Sequence, residues 1–369
     1  EITTRLVGSE MCIRDSTYIE KGMLEDLSGV LKDTDILSNI KDAYTKEDGS
    51  IYTMPVKFGI PMIEGNKDII AGITDLTTEA DAAESQKDSY GKLQFFSDFS
   101  IAPSYLIQGT IDNSIPAWMN EDGTLNENAV KEYLEQVNRI WQTQKNAIEE
   151  TKKAYQMGDD WADSDHSGYM DISGSVTSLL AKVDTVAAGG LLSPEGLVSL
   201  DSARKVDPDL DYKLLNGQSE NCFYPRSAVG VSAKASEKEA AEKFVKFLFE
   251  EESQRASNTE GLAVNSKVYE DMAYWKMGKS SGDTIGSIGT SYDTGDGNIK
   301  QFVMDEIIPE DEAIQNIMDL GKTLTVPAKS NQIIRSAVTE SGEKYLNGET
   351  GLDDAVKEIM QEVNLYLSE

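Results

Sequence analysis

Apolar positions recur at helical spacing in four stretches of the chain. Thr124 and Glu127 form a T-x-x-E box ahead of Ala129, Val130, Tyr133, Leu134, Val137, Ile140 and Trp141, which predicts a helix beginning there. Ser236 and Glu239 form a second box ahead of Ala240, Ala241, Phe244, Val245, Phe247 and Leu248. Ile333, Ile334, Ala337 and Val338 predict a third helix that stops near Asn347-Gly348, a suitable C-cap. Leu352, Ala355, Val356, Ile359, Met360, Val363 and Leu367 give an amphipathic C-terminal helix. Strand signals are shorter. Residues 51–58 follow the Asp48-Gly49 turn, and 168–173 and 227–233 are the other candidates. Helices and strands alternate, so the expected class is α/β. The Gly-, Ser-, Asp- and Thr-rich stretch 278–298 reads as a loop or a mobile insertion. No internal repeat is visible.

The length suggests two domains, and 39% hydrophobic residues suffice for packed cores. No apolar run approaches the roughly 20 residues of a membrane-spanning helix. Residues 1–16 stand apart: Leu6 to Ser16, LVGSEMCIRDS, resembles an in-frame translation of a sequencing adapter. An unevolved segment has no reason to fold, so 1–16 is expected to be an artefactual tail and the genuine chain to begin at about Thr17, inside a longer protein. The formal net charge is −31. That disfavours nucleic acid, which requires a basic face, and suits a soluble extracellular protein with well-solvated carboxylates. Setting the tail aside with its Cys12 leaves Cys222 alone, so no disulfide framework or zinc cluster forms within one chain. A single histidine, His166, excludes most Ser-His-Asp and Cys-His constellations. Asp163, Asp165, Ser167, Gly168 and Asp171 fit five positions of a calcium loop. The twelfth position is Gly174 rather than a bidentate Glu, so no metal is expected.

Five blocks, in order along the chain, carry a family resemblance: YIEKGMLEDLSGVL from Tyr18, DGSIYTMPVKFGIPMIEGNKDII from Asp48, EDGTLNENAVKEYLEQV from Glu121, SAVGVSAKASEKEAAEKFVKFLFEEESQ from Ser227 with GLAVNSKVYEDM from Gly261, and YLNGETGLDDAVKEIMQEVNLYLSE from Tyr345. Together they resemble the extracellular solute-binding proteins of bacterial ABC importers (family 1, sugar-type, maltose-binding-protein-like). The resemblance implies a two-lobed periplasmic-binding-protein-like fold of type II, with crossings near 56–60, 262–265 and 323–329. Lobe one would be 17–58 plus 266–322, and lobe two 60–261 plus 327–369. The strand–helix units that normally precede the first block are missing, so lobe one is expected to be incomplete and solute binding weak. Gly65 stands where the family has a tyrosine before N-K-D, and Val176 where an aromatic often follows a strand; two stacking positions for sugar rings are therefore lost.

Within such a cleft, aromatic rings would cover sugar C–H faces while carboxylates, amides and Arg bind hydroxyls. The resemblance puts Phe58 beside the first crossing and FFSDFS at a cleft loop. There Phe96 or Phe99 could stack and Asp98 accept hydroxyl bonds, although both rings could equally be core. Ser173 and Ser175 flank Gly174 at a strand-to-helix turn that would present N–H groups to a ligand, or would simply cap the helix. Ser330 and Asn331 offer polar contacts after the third crossing, or a cap for the third helix. Tyr224 and Arg226 suit a polyol or an ordinary turn. Of the four tryptophans, Trp141 lies on an apolar stripe, Trp118 and Trp275 are undecided, and Trp161 is the cleft candidate. The implied function is capture of a carbohydrate and delivery to a membrane permease. The receptor would be a monomer without cofactor, held outside the cell as a lipoprotein or periplasmic. The same fold binding a cationic polyamine is one alternative; a carboxylate-pair glycosidase is a remoter one.

Overall fold

Leu, Ile and Val stripes fold into helices largely where the spacing predicts. The computed structural model describes residues 18–19, 21–86, 103–120, 122–154, 176, 179–180, 186–189, 192–256, 261–293, 299–329 and 331–367. The elements are α1 (Ser38–Tyr44), β1 (Met54–Gly59), β2 (Met62–Asn66), α2 (Lys67–Ile70), α3 (Leu76–Gln86), α4 (Pro103–Ile111), α5 (Ile115–Trp118) and α6 (Glu127–Ala154). Next come β3 (Val186–Gly189), α7 (Pro194–Val206), β4 (Leu210–Leu214), β5 (Cys222–Val229), α8 (Lys238–Leu248), α9 (Glu251–Arg255) and β6 (Leu262–Ala263). The chain ends with α10 (Ser266–Tyr269), α11 (Met272–Trp275), β7 (Thr284–Asp293), β8 (Ile299–Ile307), α12 (Asp311–Thr323), β9 (Val326–Pro327), α13 (Gln332–Leu346) and α14 (Leu352–Leu367).

The four predicted helices are α6, α8, α13 and α14, but two of them are capped differently from expectation. Asn126, not Thr124, caps α6 by accepting from the Ala129 amide, while Thr124 turns back to Asp122. Helix α8 starts at Lys238 with no side-chain cap on Glu237. The expected stop of α13 holds: Asn347 is the C-cap, and Gly348 takes φ +79°, a left-handed conformation that glycine adopts without strain. The stretch 278–298 is not simply a loop. Much of it belongs to an antiparallel hairpin, β7–β8, registered from Thr284↔Ile307 to Asp293↔Ile299. Its small residues hid the alternation; backbone pairing and the packing of Ile288, Phe302 and Met304 on a core make the strands.

The described strands form three sheets, ordered β6-β1-β5-β9, β3-β2-β4 and β7-β8. Only Ile60 and Pro61 separate β1 from β2, so the chain leaves one sheet and enters the next within two residues. Two cores result. The first gathers Leu27, Ile40, Met54, Phe58, Tyr269, Trp275, Ile314 and Met318, and reaches Leu197 and Leu200 of α7. The second gathers Ile63, Leu76, Ile107, Trp118, Tyr133, Leu134, Ile334, Val338 and Ile359. Burying each such side chain contributes roughly 1.5–3 kcal/mol. Trp118 and Trp275 are wholly buried, and each indole N–H is spent internally, on Gln218 and on the Tyr269 carbonyl. Among the described residues no helix is long and apolar enough to cross a membrane.

Glu64 and Glu79 are among the carboxyls buried in these interiors. Glu64 on β2 is fully buried with neither oxygen hydrogen-bonded, and burial pushes its pKa well up, partly offset by Arg204. Glu79 on α3 is also buried; desolvation, reinforced by the Asp75 charge, lifts it from 4.5 to about 8. A carboxyl whose folded pKa is raised favours the protonated fold. Its effect on stability is therefore most favourable below pH 4.5 and declines as pH rises towards 8. At about 1.4 kcal/mol per unit, ionisation costs roughly 3 kcal/mol at pH 7. Glu79→Gln should therefore raise the urea midpoint at pH 7.5, leave it nearly unchanged at pH 4.5, and flatten the slope between. Equal effects at both pH values would remove Glu79 as the source.

Candidate functional site

The sheet β6-β1-β5-β9 brings distant segments side by side. Strand β1 runs antiparallel to β5, with Lys57 opposite Arg226 and Gly59 opposite Tyr224. On its other edge β1 meets β6 through Lys57↔Ala263 and Phe58↔Leu262. Strand β9 runs parallel to β5 through Cys222↔Val326 and Phe223↔Pro327. The three segments expected as crossings thus share one sheet, with β5 as an unforeseen fourth member.

A buried amide fastens this sheet. Gln254, with no exposed surface, donates to Val56 O (2.9 Å) and Leu248 O (2.8 Å), and accepts from the amides of Val264 (2.9 Å) and Asn265 (3.3 Å). All four of its bonding positions are used. Asn265 repeats the device, donating to Phe249 O and capping α10 through Val268. The buried Lys57 ammonium reaches the Gln254 carbonyl. Gly261 takes φ +115°, and a Cβ there would lie 2.6 Å from Phe58 O, so the approach of β6 to β1 requires glycine.

A second polar group lies where β9 leads into α13. Arg335 Nη1 donates to Asp112 Oδ1 at 2.6 Å, and the Lys329 amide donates to Asp112 O at 3.0 Å. The Asp112 side chain is 1% exposed and that of Arg335 16%. Tyr224 is buried beside them; burial, with the Asp112 charge adding, holds its hydroxyl far above the usual tyrosine range while Arg335 opposes the shift. A cation in the first turn of α13 opposes the helix dipole, so its pairing with Asp112 offsets that cost. The Cys222 thiol contacts Asn113 O, and burial pushes it up to about 12, so it is unreactive.

Phe58, expected at the cleft, is fully buried instead, edge-on to Phe223 at 6.2 Å and tilted against Tyr269 at 5.6 Å. Alternation along β1 turns it into the core, away from Lys57. Asn331 is buried and its Oδ1 accepts from the amides of Ile333 and Ile334, both at 2.9 Å, so that oxygen caps α13. Tyr224 and Arg226 lie on β5 within the shared sheet, Tyr224 buried and Arg226 half-buried. Phe96, Asp98, Phe99, Trp161, Ser173, Ser175 and Ser330 lie outside the described residues, as do residues 1–16, the calcium-like stretch and the strand expected at 168–173. Sequence reasoning missed Gln254, Asp112 and Arg335. An arginine in the first turn of a helix, where a cation opposes the dipole, was the available signal for the last pair.

The chain belongs to the bacterial extracellular solute-binding proteins: that family's model matches residues 15–280. No curated protein is similar to it in sequence. Solved structures share the fold at low identity. A Streptococcus pneumoniae solute-binding protein in complex with the blood group A-trisaccharide aligns at 16% identity, covering 96% of this chain and 82% of that one, with a TM-score of 0.50. An ABC transporter solute-binding protein of Agrobacterium vitis with bound D-mannitol aligns at 13% identity over 95% and 82%, TM-score 0.51. Maltose-bound MalE3 of T. maritima aligns at 14% identity over 96% and 88%, TM-score 0.51.

Three substitutions probe the geometry. Gln254→Leu should cost about 3 kcal/mol or more, because it orphans backbone groups on three segments at once. Arg335→Ala and Asp112→Ala should each destabilise by about 3 kcal/mol, and the double variant by clearly less than their sum. Strict additivity in urea unfolding would mean that the two side chains do not interact.

Proposed function

We propose that the chain is the solute-capturing receptor of an ABC importer, and that its solute is a carbohydrate bound between two lobes. The carrying observation is the sheet β6-β1-β5-β9, in which strands from residues 54–59, 222–229, 262–263 and 326–327 lie together. A chain that passes three times through one junction has two discontinuous lobes. Their proposed limits are 17–58 with 266–322, and 60–261 with 327–369. The cleft would open beside this sheet, with Arg226, Asn331 and the Asp112–Arg335 pair at its base. Phe96, Asp98, Phe99, Trp161, Ser173, Ser175 and Ser330 are proposed around it. A carbohydrate is favoured because the similar structures hold a trisaccharide, D-mannitol and maltose. Hydroxyl-rich solutes suit a site of guanidinium, amide and carboxylate groups. The receptor would act as a monomer, anchored outside the cell as a lipoprotein or held in a periplasm, and would hand its solute to a membrane permease. Catalysis is not part of the proposal.

Thermal unfolding with added solutes tests this. Maltose, D-mannitol, the blood group A-trisaccharide and a panel of further oligosaccharides should include one that raises Tm in a concentration-dependent way, by several degrees at about 100 times its Kd. A response to spermidine alone would replace the carbohydrate with a polyamine. Appearance of shortened sugars during incubation would overturn the receptor reading itself.

A further inference from the structure

Helix α7 is enclosed up to its last turn: Pro194 and Gly196 to Ala203 are all buried, which a helix on a free surface never shows. The chain carries it as the crossover between β3 and β4, both strands of the sheet β3-β2-β4. On that side Arg204 lies over the Tyr212 ring at 5.0 Å and pairs with Asp211 at 3.3 Å. The opposite side is covered from elsewhere. The β7–β8 hairpin belongs to the excursion between β6 and β9, and its last strand lies along α7. Ser199 Oγ donates to Glu306 Oε1 at 2.6 Å, and the Ile307 amide donates to Ser202 Oγ at 2.9 Å. Leu197 and Leu200 join the apolar cluster that also holds Met304 and, at its edge, Ile288 and Phe302. The hairpin begins at Thr284, beyond the stretch matched by the family model, which ends at 280.

We infer that the β7–β8 hairpin is a clasp that grips helix α7 across the junction of the two lobes and holds them at one angle. The inference rests on the two-lobe reading of the fold. The hairpin is rooted in the 266–322 segment, and α7 in the 60–261 segment. The strands β1 and β6 join the two, as do contacts of residues 231–255 such as Lys238–Glu25 and Arg255–Asp271, and a joint of that kind bends about its strands unless further contacts restrain it. Ser199–Glu306 and Ser202–Ile307 do span it, together with the apolar contact beneath them. A change of angle must break these bonds and expose that contact. The hairpin therefore sets how far the lobes part in the absence of solute, which determines how much of the population is already competent to bind.

Spin labels on a Cys12→Ser background, at exposed Glu47 in one lobe and exposed Lys357 in the other, report the angle without any solute. Cys222 is buried and stays unlabelled. The otherwise unaltered chain should give one narrow distance distribution, and Ser199→Ala with Ser202→Ala should broaden or split it. Alanine is a better helix former than serine, so the double variant keeps α7 intact. A second readout is hydrogen exchange at the Ile307 amide, which should be protected before substitution and exchange on the order of tenfold faster after it, the loss of one hydrogen bond. Identical distance distributions in the two proteins would overturn the clasp. So would an Ile307 amide that exchanges without protection in the unsubstituted chain. Neither readout requires a bound carbohydrate, so a clasp that fails and a receptor reading that fails give different results.

Discussion

The side-chain amide of Gln254 is the interaction on which the rest of the arrangement depends. One planar group bonds β1 at Val56, the end of α8 at Leu248, and the segment following β6 at Val264 and Asn265. Among these segments, Val56 is 198 positions from Gln254, and β1 ends two residues before β2, whose Ile63 belongs to the other core. Apolar packing alone would hold them together without fixing their register, because dispersion and burial are non-directional. A buried amide with all of its bonds made permits one register and penalises every other by a stranded polar group. Gly261 adds a steric condition to the same joint, since any Cβ there would strike the Phe58 carbonyl.

Around this joint the molecule distributes its charges unevenly. The net charge is −31, and such an excess of carboxylates calls for solvation. Buried charge is handled in two ways. Asp112 and Arg335 neutralise one another where β9 enters α13 and keep the guanidinium partly exposed. Glu64 and Glu79 form no ion pair among the described residues, and burial raises both above the usual carboxylate range, with Arg204 only partly offsetting the shift at Glu64. The first arrangement supplies directional groups beside the shared sheet. The second costs stability as pH rises and adds nothing to recognition that the geometry reveals.

Helical parts of the fold were legible in the sequence because their signal is local. The stripes of α6, α8, α13 and α14 repeat at the helical period, and the Asn347-Gly348 stop is written in two residues. Capping was legible only in outline: Asn126 displaced Thr124 because the turn at Asp122 claimed the threonine hydroxyl. The hairpin β7–β8 was not legible, since Gly286, Ser287, Gly289 and Ser291 break the alternation that marks a strand, and its stability comes from α7, distant in sequence. The site divides likewise. Family likeness pointed to segments that share one sheet, whereas the burial of Phe58 was not legible because only register reveals which face of β1 a residue occupies. Gln254 and the Asp112–Arg335 pair gain their meaning from contacts across 198 and 223 positions, which no local pattern encodes.

The central claim is that β1, β5 and β6 form one cooperative joint fastened by Gln254. Native-state hydrogen exchange measured for the unsubstituted chain and for Gln254→Ala tests it most directly. The account predicts that amides of β1, β5, β6 and the following Val264 and Asn265 share one slow opening in the unsubstituted chain, and that all of them accelerate together in the variant. Acceleration confined to Val264 and Asn265, with β1 and β5 unchanged, would contradict it and reduce Gln254 to a local bond.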